Sequence, residues 1–402
     1  SDRSDLAVFQ APRATPIPTR RPAPTHTPRP PDRTEAVDEA APAEPVPPVK
    51  LALLAPIEGE LAYLGDATRR GAALAVDTWN ARGGVLDRPV ELLVVDSQCN
   101  PDPAVDAFKR VVDREGVRFA IGDACSNASI ALSEIAMSRG VLLVSPSSTG
   151  PMVTQNPEGH VRALVFRTCF VDPFQGWVAA RFALEWLGLR RAAMLVVTED
   201  PYSEGLAEAF ASAYRELGGD LVLVERYGAE AGVPPDLSAV LPRLRELAPD
   251  LIYLPTYYTI VNQVAGQLRE AGIEALLLGG DGWDSPELDR PPVEGGYFTA
   301  HFSPADPRPE VQAFVARYEE AYRRPPDALA ALGYDAADLI LAAMERAGTT
   351  DDPIAVARAL ESGAYLAVTG ELAFDHNHNP VKHAVVYRVE RDGFVYAETI
   401  AP

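Results

Sequence analysis

The run Val49-Lys50-Leu51-Ala52-Leu53-Leu54-Ala55 opens the part of the chain that decides the fold. It is short and almost wholly apolar, which is typical of a strand buried on both faces of a parallel sheet. The next segment carries Ala72, Val76 and Trp79 at positions i, i+4 and i+7, the spacing of one helix face. We expect Asp66 to cap this helix. The folded part of the chain therefore begins as a strand followed by a helix.

The same alternation of strand and helix continues, and it occurs twice in succession. It predicts an α/β protein with two doubly wound lobes, each a parallel sheet covered by helices. The further strands are predicted at 90–95, 119–122 and 141–144 in the first unit, and at 191–197, 221–225, 250–255 and 275–279 in the second. A last block, with helices at 310–322, 328–347 and 353–362 and strands at 366–374, 384–389 and 394–400, is expected to add elements to these units.

The N-terminal segment 1–48 differs from the rest because proline recurs in it without hydrophobic periodicity. Such a segment buries too little apolar surface to offset the entropy of ordering it, so we predict a disordered linker. The alternative is a ligand for a proline-reading domain. A spacer at this end suggests a tether to something upstream, such as a lipid-anchored residue. We therefore expect an extracytoplasmic protein, in the periplasm or at the cell surface.

Composition excludes several classes of function. The 402 residues carry a formal net charge of −21, and a nucleic-acid-binding protein needs a basic surface instead. The sequence carries no nucleophile elbow, phosphate loop or dinucleotide fingerprint, so we expect neither an enzyme nor a cofactor. His376 and His378 resemble a metal-binding pair, but their polar surroundings favour a hairpin turn, and we expect no metal.

The three cysteines bear on the compartment. Cys99 and Cys125 each follow a predicted strand, and neighbouring parallel strands place such ends side by side. The pair is expected to form a disulfide in an exported protein, the alternative being two buried thiols in a cytosolic one. Cys169 lies in an apolar setting between Phe166 and Phe170, which favours a small buried side chain over a nucleophile.

Ligands of open α/β sheets bind where the strands end, and two such loops in the first unit are rich in small hydroxyl residues. Loop 123–129 contains Ser126, and loop 145–150 contains Ser148 and Thr149. Hydroxyls and free backbone N–H groups that converge there favour a carboxylate. Ordinary helix capping explains either loop alone, but two such loops in one lobe favour a carboxylate site.

The loops of the second unit supply aromatic walls and an acid. Tyr202, Tyr257 and Trp283 each follow a predicted strand, and Asp281 lies between two glycines. Asp281 is placed to make a charge-assisted hydrogen bond to a ligand ammonium, or it is a solvated turn residue. The pattern alone leaves both roles open.

A series of short motifs carries a family resemblance. In order they are Gly65-Asp66, Asn80-Ala81-Arg82-Gly83-Gly84, Asp96-Ser97-Gln98-Cys99-Asn100-Pro101, Ile121-Gly122-Asp123-Ala124-Cys125-Ser126, Ser145-Pro146-Ser147-Ser148-Thr149, Tyr202-Ser203-Glu204-Gly205-Leu206 and Gly333-Tyr334-Asp335-Ala336. Over roughly 49–400 the chain resembles the type I periplasmic binding proteins of the leucine/isoleucine/valine family, the extracellular solute receptors of ABC importers.

The resemblance implies two lobes joined by three crossovers, with 49–168 and 303–372 in the first lobe and 169–302 and 373–402 in the second. It also implies a disulfide between Cys99 and Cys125. A monomer that closes on one small amino acid and docks on an ABC permease in the membrane is expected. In this family Ser126 and Thr149 would hold the carboxylate, and the Ser148 carbonyl would accept from the ammonium.

From the second lobe, Tyr202 and Tyr257 would contact the ligand and Asp281 would neutralise its ammonium. Three residues depart from the leucine-type pattern. Asp281 is one methylene shorter than the usual glutamate, Leu64 stands where an aromatic wall is frequent, and Trp283 adds bulk opposite. We therefore expect a hydrophobic amino acid, branched-chain or larger. The alternatives are an amide, urea or aromatic-acid ligand, or a sensor of the same fold in a signalling system.

Overall fold

The computed structural model describes residues 46–230 and 232–402. The predicted linker therefore lies almost wholly outside the described residues. Among the helices of the described part, none combines the length and the apolar character that crossing a membrane requires.

The first sheet is built around the run that opens the folded part. Its five parallel strands have the spatial order β2-β1-β3-β4-β5. They are β1 (Val49–Ala55), β2 (Val90–Asp96), β3 (Phe119–Ile121), β4 (Leu142–Ser145) and β5 (Val165–Arg167). The strand β5 escaped prediction because three residues show no periodicity. The helices associated with this sheet are α1 (Ala62–Ala81), α2 (Pro101–Glu115), α3 (Ser126–Arg139), α9 (Pro309–Tyr322), α10 (Ala328–Ala347) and α11 (Pro353–Glu361).

Alternate residues of β1 face two different apolar layers, as strand geometry requires. Leu51 and Leu53 pack in one layer with α1, α9, α10 and α11. Ala52 and Leu54 pack in the other with α2 and α3. Burial on both faces explains why β1 is a continuous apolar run rather than an alternating one.

The second sheet has seven strands in the order β14-β13-β10-β9-β8-β6-β7. The strands β6 to β10 are parallel, and β13 and β14 extend the sheet in antiparallel pairing. They are β6 (Arg191–Val197), β7 (Asp220–Tyr227), β8 (Leu251–Leu254), β9 (Leu276–Gly279), β10 (Tyr297–Ala300), β13 (Ala384–Glu390) and β14 (Gly393–Ile400). The helices associated with it are α4 (Asp172–Arg181), α5 (Pro201–Glu216), α6 (Leu241–Leu247), α7 (Tyr258–Glu270) and α8 (Arg290–Val293). The two sheets confirm the predicted fold class, whereas the exact lobe boundaries stay a prediction.

Two local predictions were wrong. Helix α1 begins at Ala62, before Asp66, so Asp66 lies inside the helix and its carboxylate pairs with Arg69 at 2.6 Å instead of capping. The segment 366–374 is a hairpin of β11 (Ala364–Ala367) and β12 (Gly370–Ala373) rather than one strand. Its turn is fixed by the buried Asp335 carboxylate, which accepts the backbone N–H groups of residues 368 and 369 at 2.8 and 2.9 Å.

Candidate ligand-binding cleft

A cavity of about 530 Å³ opens between loops that follow the strands of both sheets. Its lining comes from the loops after β1, β2, β7 and β8 and from the first turns of α7, as expected for an open α/β sheet. The charged residues of the lining are all acidic: Glu58, Glu60, Asp96 and Glu230. Tyr257 also lines this cavity. The negative field at the mouth favours solutes that carry a positive group.

The loops of the two sheets meet behind this cavity. The Tyr258 hydroxyl donates to the Glu60 carbonyl at 2.9 Å, and the Tyr257 hydroxyl faces the backbone N–H of Ser126. Leu64 packs in one apolar cluster with residues of the second sheet. Three residues predicted for the ligand site, Leu64, Ser126 and Tyr257, therefore lie where the two lobes approach.

Ser126 and Thr149 bring two buried hydroxyls to the first lobe's side of this junction. Ser126 is the first residue of α3, where the leading backbone N–H groups lack helical partners. Its Oγ accepts the N–H of Gly150 at 3.3 Å, which ties the two predicted loops together. Thr149 is wholly buried, and its hydroxyl faces the carboxylate of Asp172. The pair thus offers hydroxyl and N–H donors at one place, as a carboxylate requires.

Ser148 is predicted to offer its carbonyl to the ligand's ammonium, and in the structure this carbonyl has two donors from the protein itself. Its carbonyl accepts from Arg167 Nη1 at 2.7 Å and from the Cys169 thiol at 3.3 Å, and its hydroxyl donates to the Asp123 carbonyl at 2.9 Å. Cys169 is buried, as predicted. The Ser148 carbonyl is therefore engaged inside the first lobe.

Arg167, at the end of β5, was missed by sequence reasoning. It is wholly buried, and its Nη2 donates to the Gly150 carbonyl at 2.9 Å. Together with the bond to Ser148 it fixes both ends of the segment that carries Thr149. One signal in the sequence could have identified Arg167, namely an arginine at the end of an apolar strand. A cation buried there needs carbonyl or carboxylate partners.

Asp281 is held by three neutral donors of the second lobe. Its Oδ1 accepts from Gln175 Nε2 and from the Tyr202 hydroxyl, both at 2.8 Å, and its Oδ2 accepts from His301 Nε2 at 2.8 Å. Burial alone would raise the pKa of Asp281, but the bond from His301, helped by those from Gln175 and Tyr202, outweighs it and holds that pKa below its ordinary value. Burial lowers the pKa of His301, so a neutral imidazole donates to an ionised carboxylate.

The aromatic residues predicted for the second lobe differ in their distance from the junction of the lobes. Tyr202 and Tyr257 stack with ring centroids 4.8 Å apart. Burial and the neighbouring Asp281 raise the pKa of Tyr202 well above its ordinary value, so its hydroxyl stays a donor. Trp283 instead packs in the interior of the second lobe, where its Nε1 donates to the Leu254 carbonyl at 3.1 Å. The structure brings the two tyrosines to the lobe junction and keeps Trp283 behind them.

Asp172 is a second buried acid near the site, and sequence reasoning missed it. It begins α4, it is 1% exposed, and the Thr149 hydroxyl and the Arg167 guanidinium are near its carboxylate. Burial raises its pKa to about 7. An acid followed by proline is the usual start of a helix, so the pattern pointed only to a cap.

Cys99 and Cys125 lie beside the Ser126 loop. Their sulfur atoms are in contact and their Cα atoms are 5.5 Å apart, the spacing of a disulfide. The Asn127 side chain donates to the Cys99 carbonyl at 3.0 Å. The paired cysteines therefore join the loop after β2 to the beginning of α3, which carries Ser126.

Replacing Cys99 with serine is expected to lower the free energy of unfolding by about 3 kcal/mol, because the unfolded chain regains the freedom of a closed loop. The two cysteines are 26 positions apart. Chemical denaturation with and without a reductant measures the effect, and reductant should shift the wild type but not Cys99→Ser. Cys169→Ala is the control and should keep its response to reductant. A wild type insensitive to reductant contradicts the disulfide.

The segment around His376 and His378 is a turn. Asp375 Oδ1 accepts the N–H of Asn377 at 2.8 Å. His378 is buried and stacked on Phe166 with ring centroids 3.9 Å apart, and its Nδ1 lies 2.9 Å from the carbonyl of residue 165. These contacts give His378 a structural role, in line with the turn interpretation.

Known proteins resemble this chain over most of its length. The family model described as periplasmic binding protein matches residues 48–393. The Leu/Ile/Val-binding protein homolog 3 of Brucella melitensis is 31% identical over 322 residues, which cover 78% of this chain and 83% of that relative.

Two solved structures have the same fold. The leucine binding protein LivK of Thermotoga maritima has a TM-score of 0.81 and 35% identity, over 88% of this chain and 99% of that one. The branched-chain amino acid substrate-binding protein LivJ of Streptococcus pneumoniae, solved with isoleucine, has a TM-score of 0.80 and 28% identity, over 88% and 100% of the two chains. The chain belongs to the periplasmic binding protein family and, as its motifs predicted, to the group that contains the Leu/Ile/Val-binding proteins.

Proposed function

We propose that this protein is the extracytoplasmic substrate-binding protein of an ABC importer and binds a hydrophobic amino acid, branched-chain or larger, between two closing lobes. One observation carries the proposal. The Tyr257 hydroxyl of the second lobe, whose ring stacks on Tyr202, faces the backbone N–H of Ser126 on the first lobe, beside the buried Thr149. The relatives named for leucine, isoleucine and valine binding support the choice of ligand class.

The ligand's carboxylate is bound by the first lobe. Ser126 supplies its hydroxyl at the start of α3, where the helix dipole favours an anion, and Thr149 supplies its buried hydroxyl. Tyr202 and Tyr257 cover the ligand from the second lobe. A buried carboxylate of the cleft neutralises the ammonium. No bond is made or broken.

Closure follows from this division of contacts. A ligand held only by the first lobe binds the open form, and contacts with Tyr202 and Tyr257 exist only when the lobes are close. Binding energy from the second lobe therefore selects the closed state. We propose that the closed protein, a monomer, docks on a membrane permease. The lobes are proposed to run over 49–168 with 303–372 and over 169–302 with 373–402.

Export is proposed from the paired cysteines and the family. A disulfide between Cys99 and Cys125 persists in an oxidising compartment. The proline-rich segment 1–48 would then act as a spacer to a lipid anchor at the cell surface.

Isothermal titration with a panel of ligands tests the function. L-leucine, L-isoleucine, L-valine and L-phenylalanine form the test set, and urea, acetamide and benzoate represent the other ligand classes. We expect saturable heat from at least one hydrophobic amino acid and none from the other set. If only urea, acetamide or benzoate gives binding heat, the ligand belongs to that class and is not an amino acid. The absence of binding heat with every amino acid would refute the proposal.

A further inference from the structure

We propose that Lys382 is a hinge residue, which joins the three passages of the chain between the two sheets in one buried network and so sets how tightly the lobes close on a ligand. Lys382 acts through this network and not through the ligand, because it is not part of the lining of the cleft cavity. The inference rests on the proposed function only in that some ligand must bind between the lobes.

The chain passes between the two sheets three times within the described residues. The first passage, 168–171, joins β5 to α4, and the second, 301–308, joins β10 to α9. The third, 374–383, joins the hairpin of β11 and β12 to β13. Lobe closure changes the backbone torsions of a few residues in such passages. Contacts that join the passages to one another therefore restrict the closing motion.

Lys382 joins the third passage to the first. Its side chain is buried, and its Nζ donates to the Thr168 carbonyl at 2.8 Å and to the Thr369 hydroxyl. The Thr369 hydroxyl donates in turn to Asp335 Oδ2 at 2.6 Å. One hydroxyl thus connects the ammonium to a buried carboxylate of α10. A buried ammonium needs such partners, so a movement that separates the first and third passages here is unfavourable.

The second passage reaches the same hairpin turn. Arg308 Nη2 donates to the Val368 carbonyl at 2.9 Å, and Asp335 accepts the backbone N–H groups of Val368 and Thr369. The turn at Val368 and Thr369 therefore receives contacts from two passages, and Lys382 extends these contacts to the third. We call Lys382, Thr369, Asp335 and Arg308 the hinge network.

Both ends of the network are charged at neutral pH. Burial lowers the pKa of Lys382 to about 8, although the nearby Asp335 raises it. Burial raises the pKa of Asp335 to about 6, while Lys382 and Thr369 lower it. At pH 7 the network therefore holds a cation and an anion on either side of one hydroxyl. An ionic network of this kind fixes one arrangement more sharply than apolar packing does.

The network is complete while the lobes are in contact, as the bond from the Tyr258 hydroxyl to the Glu60 carbonyl shows. Loss of Lys382 would widen the range of lobe arrangements in the ligand-free protein. A ligand then spends more of its binding energy on selecting the closed state, so its affinity falls. Every ligand of the cleft should lose affinity by the same factor, because Lys382 touches none of them.

The experiment compares Lys382→Met with Lys50→Met in the full chain. Lys50 is partly exposed and pairs with Glu115 at 2.7 Å, at the start of β1. Isothermal titration with L-leucine and L-valine measures both affinities. We expect Lys382→Met to weaken both by one common factor of about 2- to 30-fold, the range for residues that act on a conformational equilibrium. Lys50→Met should change neither affinity. Small-angle X-ray scattering should show a wider ligand-free Lys382→Met protein than the wild type.

The outcomes separate the hinge role from the alternatives. If Lys382→Met leaves both affinities unchanged, the hinge role is overturned. A changed ratio of L-leucine to L-valine affinity overturns it too, since that result places Lys382 in the ligand site. If the wild type binds neither amino acid, the proposed function fails for these ligands. The ligand-free scattering then decides on the hinge alone, and identical curves for Lys382→Met and the wild type contradict it.

A second measurement on the wild type serves if Lys382→Met does not fold. The chain has three lysines, at positions 50, 109 and 382, so their ammonium groups give a simple ¹⁵N NMR spectrum. The buried, hydrogen-bonded Lys382 should exchange its protons slowly and give a sharp signal below about pH 8. Saturation with L-leucine should shift the Lys382 signal and leave Lys50 and Lys109 unchanged. A Lys382 signal that does not respond to bound L-leucine counts against the hinge role.

Discussion

Replacing Arg167 with methionine is expected to lower the free energy of unfolding by about 3–5 kcal/mol, the range for removing one partner of a buried charged network. Arg167 is wholly buried and donates to the Ser148 carbonyl at 2.7 Å, the Gly150 carbonyl at 2.9 Å and Thr154 Oγ1 at 3.3 Å. Methionine fills a similar volume but donates nothing, so these buried acceptors lose their partner. Asp172 also loses its neighbouring cation. Chemical denaturation monitored by circular dichroism measures the change.

Arg162→Met is the matched control for this prediction. Arg162 is also mostly buried, but it pairs with Glu134, whose side chain is 60% exposed. A pair that reaches solvent contributes about 1 kcal/mol or less. Equal losses in the two variants would show that Arg167 does not organise the segment 148–150 in the way described.

Ser126→Ala is expected to weaken binding of L-leucine by about 10- to 100-fold, because a buried donor to a charged carboxylate is lost. The hydroxyl also accepts the Gly150 N–H at 3.3 Å, so its loss loosens the segment that follows Thr149. Isothermal titration gives the affinity, and the thermal stability of the ligand-free variant shows whether folding has changed.

The control for Ser126 lies on the same helix. Ser133 is also buried on α3, and its hydroxyl donates to the Ser129 carbonyl at 2.7 Å, within the helix. Ser133→Ala should leave the affinity for L-leucine unchanged. A Ser126→Ala protein that binds L-leucine as tightly as the wild type would remove Ser126 from the carboxylate site.

The elements of the fold were largely predictable because their signals are local. The run from Val49 to Ala55 is apolar on both faces, and the helix Ala328–Ala347 has the predicted bounds. The elements that were not predicted are either short, such as β5, or depend on a contact with a residue distant in the sequence. The turn of the hairpin at 364–373 is held by Asp335, which lies on helix α10. The local sequence of the hairpin does not predict that contact.

The candidate site was predictable only in part, for the same reason. Small hydroxyl residues after strands pointed to Ser126 and Thr149, since strand ends of one parallel sheet share an edge. Asp172, Arg167 and His301 lie near the passages between the two sheets. Their partners come from separate parts of the chain, so spacing along the sequence carries no signal for them. The sequence likewise does not predict that Asp281 accepts hydrogen bonds from three side chains.

A crystal structure of the full chain grown with L-leucine would show whether both lobes contact one amino acid. We expect one leucine between the lobes, with its carboxylate within hydrogen-bond distance of Ser126 and Thr149. Tyr202 and Tyr257 should contact the same molecule from the second lobe. A leucine held by one lobe alone, or bound away from Ser126 and Thr149, would be incompatible with the proposed ligand site.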